Sequence, residues 1–146
     1  MIAKAKVDLN SYRDWPIASD MVQHRINQLS VRATHNPEAN TVVLGKYVEN
    51  SASSYEQVAK AQGATYFELP GTSWSEAVTQ LGVDKMWSIN KKFLDDQMAR
   101  DKGFVFTLDP RTVAADSFTA KEYSHLLHNG YRLIEEAGGT YRAIKK

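Results

Sequence analysis

The order of apolar runs and helix-starting signals predicts an α/β fold, with a mixed α+β arrangement as the alternative. It would hold a central mixed sheet of about five strands, helices packed on it, and a C-terminal β-hairpin. Three observations carry this. From Thr41 onward, short β-branched or aromatic runs alternate with helical segments. Phe104-Val-Phe-Thr-Leu-Asp109 is apolar on both faces over most of its length, as a doubly covered strand should be. Gly138-Gly139 separates two strand-like segments at the end of the chain, the pattern of a hairpin.

The elements follow in order. Residues 1–40 read as a lead-in and helix, distinct from the domain 41–146. Ser19 can cap a helix to about Val31 that sets Met21, Val22, Ile26 and Leu29 on one face, and Ala33–Asn40 is a loop by its Asn and Pro content. Thr41–Leu44 is a short strand ended by Gly45. Ser54-x-x-Gln57 is a capping box opening a helix that Gly63 stops. Ala64–Leu69 is a second strand closed by Pro70-Gly71, and a short helix follows Ser73. Asp84 caps a long helix to about Lys102. The third strand is 104–109, and Thr119-x-x-Glu122 is a second capping box whose helix ends at Asn129-Gly130. Tyr131–Glu136 and Thr140–Lys145 form the hairpin.

The long helix holds the most informative position. At 3.6 residues per turn Met86, Trp87, Ile89, Phe93, Leu94 and Met98 share an apolar arc, and Asn90 falls inside it with Gln97 two turns on. An unpaired amide facing a core costs roughly 1–3 kcal/mol. Asn90 therefore either pins a neighbouring loop or opens into a polar pocket.

Composition excludes several classes. With 146 residues the chain is most simply one domain, and 42% apolar and 24% charged residues are ordinary for a globular protein. No run is long and apolar enough to cross a membrane, and no secretory h-region opens the chain. A net charge of +1 gives no general basic footprint, although Arg132, Arg142, Lys145 and Lys146 thicken at the end. Cysteine is absent, which rules out disulfides, a thiolate nucleophile and thiolate zinc sites. Phosphate-binding glycine fingerprints, HExxH and nucleophile elbows do not occur.

If the first three strands run parallel, their C-terminal ends meet at one edge, where open α/β sheets bind ligands. That edge collects Lys46 and Tyr47, Pro70-Gly71-Thr72, and Asp109-Pro110-Arg111. The helix N-termini at Ser53/Ser54 and Ser117/Thr119 offer amides to an anion. Each candidate has a plainer role. Ser54 and Thr119 read as caps, Glu122 as the back-bonding half of its box, Asp109 as a turn residue, Lys46 as solvated and Trp87 as core. Glu122 nonetheless lies at the edge of an apolar face, where a carboxylate can act as base. Ser117 is not needed for the box. His35 sits in a polar loop, and the ordinary titration range of histidine suits an acid or base. Glu122-x-x-His125-x-x-His128 has three-and-three spacing rather than the i, i+4 pair of metal sites, and it reads as a solvated face. No metal and no cofactor are expected.

From Val42 to about Leu133 the chain resembles a toxin domain found at the C-termini of bacterial polymorphic toxins, including contact-dependent growth inhibition and Rhs-type effectors. The shared features are Val43-Leu-Gly-Lys-Tyr47, Tyr55-Glu-Gln-Val-Ala59, Gly63-Ala-Thr-Tyr-Phe67, Trp87-x-x-Asn90-x-x-Phe-Leu-Asp95, Thr107-Leu-Asp-Pro110, Ser117-x-x-x-x-Glu122-Tyr-x-x-Leu126 and Gly130-Tyr131. The stretch Val48–Ser53 is a longer insertion than the pattern has.

The resemblance implies an effector delivered from a secreted or cell-surface toxin into the cytoplasm of a neighbouring bacterium. The implied partners are a cognate immunity protein, expected to be acidic opposite the basic hairpin, and RNA, foremost tRNA, with a host activating protein as a further candidate. The expected activity is metal-independent ribonuclease. Glu122 or His35 would move protons and Lys46 would stabilise charge, while Asn90 and Ser117 would orient the phosphate. Trp87 or Tyr47 would stack a base, and Ser54, Asp109 and Arg111 would complete the binding edge. The alternatives are a toxin consuming a nucleotide cofactor such as NAD, and a non-enzymatic binding module or the immunity protein itself.

Overall fold

The computed structural model describes residues 20–45, 52, 54–69, 74–136 and 140–145, with backbone only at 74 and 75. The expected roles of Ser19, Lys46, Tyr47, Ser53, Pro70–Ser73 and Gly138-Gly139 lie outside the described residues. The elements are α1 (Asp20–Ala33), β1 (Thr34–His35), β2 (Thr41–Leu44), α2 (Tyr55–Gln62), β3 (Tyr66–Phe67), α3 (Trp74–Leu81), α4 (Val83–Ala99), β4 (Gly103–Phe106), α5 (Phe118–His128), β5 (Tyr131–Glu136) and β6 (Thr140–Lys145). The fold is mixed α/β.

Backbone contacts divide the chain into two compact units that alternate along the sequence: residues 1–35 with 67–93, and residues 36–66 with 94–146. In the first, α1 buries Val22, Ile26, Leu29, Ser30 and Ala33; Met21, expected on that face, is exposed because it lies off the inward stripe that Val22, Ile26 and Leu29 form. The segment Ala33–Asn40, expected as loop, contains β1, which pairs with β3. The amide of Glu68 donates to the Ala33 carbonyl at 2.8 Å. Phe67 and Phe93 pack edge to face with centroids 5.4 Å apart.

The second unit holds the four-stranded sheet, in the order β2-β4-β6-β5. β2 and β4 are parallel, with Thr41 opposite Gly103 and Leu44 opposite Phe106. Thr65 adds a parallel bridge to Val42 on the outer side of β2. The three runs read as parallel strands therefore are parallel, although the second contributes one residue to this ladder. β6 pairs antiparallel with β4 and β5 antiparallel with β6, which closes the hairpin onto the sheet.

Successive side chains of a strand point to opposite faces. Val43 packs with Ala59, Ala64 and Tyr66, and with Tyr55 and Val58 beside them, so α2 covers one face. Phe106 packs edge to face on Tyr123 of α5 at 6.1 Å, so α5 covers the other. Phe104, on that second face, meets Tyr131 at 5.4 Å.

Several boundaries differ from expectation: α4 starts at Val83, so Asp84 lies in its first turn rather than capping it, and β3 keeps only Tyr66–Phe67 of the expected 64–69. Three more differ for a local reason. α4 ends at Ala99 rather than near Lys102 because Asp101 takes a left-handed conformation (φ 57°). Its amide donates to Met98 and that of Lys102 to Gln97, the double bond pattern of a Schellman stop. β4 ends at Phe106, where Thr107–Asp109 turns away. α5 is capped by Ser117, whose Oγ accepts from the Ala120 amide at 3.1 Å; the expected cap, Thr119, lies inside the helix and is buried.

Candidate active site

The C-terminal ends of β2 and β4 lie side by side: the Thr107 amide donates to the Leu44 carbonyl at 3.0 Å. Gly45 is required there. Its φ is +151°, a conformation side-chain-bearing residues rarely adopt, and a Cβ built on it would stand 1.9 Å from Thr107 Oγ1, so a side chain there would displace that hydroxyl. Lys46 and Tyr47 follow directly in sequence, outside the described residues.

Two buried glutamates lie on the helices that leave these strand ends. Glu56, in the first turn of α2, is 6% exposed and accepts from Ser54 Oγ at 2.5 Å. Ser54 is the N-cap residue, but its side chain bonds no amide of the helix, so the expected capping box does not form. The hydroxyl is turned towards the Glu56 carboxylate instead of the helix amides.

The second glutamate is Glu122, also 6% exposed. With Ser117 as cap, Glu122 is the fifth helical residue and lies beyond reach of the cap amide. The box explanation for it is thereby removed. It shares the inner face of α5 with Thr119 and Leu126, and it is not without a partner.

Asp109 and Arg111 bind each other. Arg111 donates from Nε to Oδ1 and from a terminal guanidinium nitrogen to Oδ2, both at 2.8 Å, while its amide donates to Oδ1 at 2.9 Å. The forked contact from Arg111 holds the Asp109 carboxyl below its usual range, and that carboxylate raises the Arg111 guanidinium. The guanidinium carbon lies 5.8 Å from the centre of the Tyr141 ring. Both residues sit at the expected edge, yet their charges are spent on one another.

Asp95 on α4 and His125 on α5 form a pair that the sequence does not suggest. His125 Nε2 donates to Asp95 Oδ1 at 2.6 Å, and the histidine side chain is 16% exposed against 46% for the aspartate. The solvated-face reading of His125 is corrected accordingly, since α5 turns that side towards α4. His128 does face solvent, its Nδ1–H donating to the Ser124 carbonyl. Among the described residues no three His, Asp or Glu side chains cluster as a metal site would.

The remaining candidates belong to the first unit. Asn90 is completely buried, and among the described residues neither its Oδ1 nor its Nδ2 has a partner; it pins no described loop. Trp87 is half-buried one turn earlier. His35 is half-buried and donates from Nε2 to the Glu68 carbonyl at 2.9 Å, which fixes its ring.

A further residue missed by the sequence reading is Lys102. Only 6% exposed, it donates to the Pro37 carbonyl at 2.7 Å and to Thr65 Oγ1 at 3.1 Å. Thr65 Oγ1 in turn donates to the Asn36 carbonyl at 2.6 Å. Burial, reinforced by Arg100 and opposed by Glu38, pushes the Lys102 ammonium below its ordinary range. It ties the 36–40 turn to the sheet at the end opposite the candidate site, which is a structural task. Position before a strand was the sole sequence signal, and a lysine there is commonplace.

Comparison of the chain with protein-family models, with curated proteins and with solved structures gives no significant match.

Proposed function

We propose that residues 41–146 form an antibacterial toxin effector that cleaves RNA, foremost tRNA, without a metal ion in the target cytoplasm, and that an acidic cognate immunity protein blocks it. The observation that carries this reading is Glu122. A carboxylate withdrawn from water costs several kcal/mol before its partners compensate, and helix capping no longer accounts for it. It belongs to a motif of the toxin resemblance, on the helix that leaves the parallel strand ends. A carboxylate there can take the proton of a ribose 2′-hydroxyl. Lys46, the residue after Gly45 in the sequence, would supply the cation for the phosphorane.

The test is induced expression in a bacterium lacking any immunity partner, with total RNA resolved on a gel and NAD measured in parallel. Degraded tRNA with steady NAD is expected, and purified protein should cleave RNA in the presence of a chelator. Glu122→Gln should abolish both growth arrest and cleavage while leaving the thermal transition intact. Collapsing NAD with intact RNA, or harmless expression of the unaltered chain, would overturn the proposal.

A further inference from the structure

We propose that His125, positioned by Asp95, is the general acid of this site and protonates the 5′-oxygen that leaves when RNA is cut. The inference deepens the ribonuclease reading and rests on it. A cleaving carboxylate needs a complementary acid, and His125 lies one helical turn beyond Glu122, so the two side chains project from adjacent positions on α5. The histidine is mostly sheltered while its aspartate is half exposed, which places the pair at a rim rather than in the core.

Asp95 fixes the tautomer. A carboxylate can only accept, so the hydrogen bond at 2.6 Å keeps a proton on Nε2. The proton that can be given away is then the one on Nδ1. The ring has further interactions besides this one.

The steps balance without a co-reactant. Glu122 takes the 2′-hydroxyl proton, and the 2′-oxygen forms a bond to phosphorus. The bond from phosphorus to the 5′-oxygen breaks, and its electron pair accepts the Nδ1 proton of His125. The products are a 2′,3′-cyclic phosphate and a free 5′-hydroxyl, with Glu122 protonated and His125 neutral.

A bond between two helices could serve packing alone, so the test separates acid chemistry from structure. Products of the unaltered protein locate the cleaved linkage, and the same RNA is then made with sulfur replacing that 5′-oxygen. A thiolate leaves without a proton. His125→Gln should slow cleavage of ordinary RNA at least about 100-fold but that of the sulfur-bearing RNA by less than about tenfold, whereas Glu122→Gln should be slow on both. Asp95→Asn should lower kcat on ordinary RNA with KM unchanged. Equal losses on both RNAs, or full activity of His125→Gln, would overturn the acid role and leave the ribonuclease reading standing. Failure of the unaltered protein to cut any RNA would remove both.

Discussion

Replacing Asn90 by leucine should stabilise the protein. Asn90 is completely buried, as are Met86, Ile89, Phe93 and Leu94 around it on α4. Both polar atoms of its amide lack a hydrogen-bond partner among the described residues. Leucine has the same branching and the same number of side-chain heavy atoms, so the replacement removes the unpaired polar atoms with little change of shape. An unpaired buried polar group costs about 1–3 kcal/mol. For a chain of this size each kcal/mol moves the thermal midpoint by roughly 2–4 °C, so the expected rise is about 2–12 °C. Circular dichroism at 222 nm during heating measures it, and urea unfolding should give a higher midpoint with an unchanged m-value. A fall in the midpoint would mean instead that the amide makes a stabilising bond. Growth inhibition by the same variant adds a second readout. Higher stability with lost toxicity would mark Asn90 as a polar group kept for function at the expense of stability.

Two further outcomes test the corrected anatomy. Ser117→Ala should lower stability by about 1 kcal/mol through loss of the α5 cap, measured by urea unfolding, with RNA cleavage preserved; a large loss of cleavage at unchanged stability would instead give Ser117 a direct part in catalysis. Lys102→Met should destabilise the protein by releasing Pro37 and Thr65. Because the native ammonium titrates below its unfolded value, the unfolded chain binds more protons between the two. The stability of the unaltered protein relative to Lys102→Met should therefore rise with pH between that lowered value and about 10.5; a flat or falling difference in urea midpoints would contradict this.

Features that depend on near neighbours along the chain are legible in its residues. The buried arc of α4, including Asn90 and Gln97, follows from helical periodicity. The left-handed glycine after α2 and the hairpin after α5 follow from turn chemistry. The parallel Thr41–Leu44 and Gly103–Phe106 runs follow from apolar runs alternating with helices. Choosing Ser117 over Thr119 as the cap of α5 was already harder, because both types cap helices and only the backbone angles at the start decide between them. Tertiary structure alone decided the pairings across long separations. Asp95 meets His125 thirty residues away, and Lys102 meets Pro37 sixty-five residues away. Nothing local distinguishes such side chains from solvated ones; their partners exist only once the sheet has fixed the path of the chain.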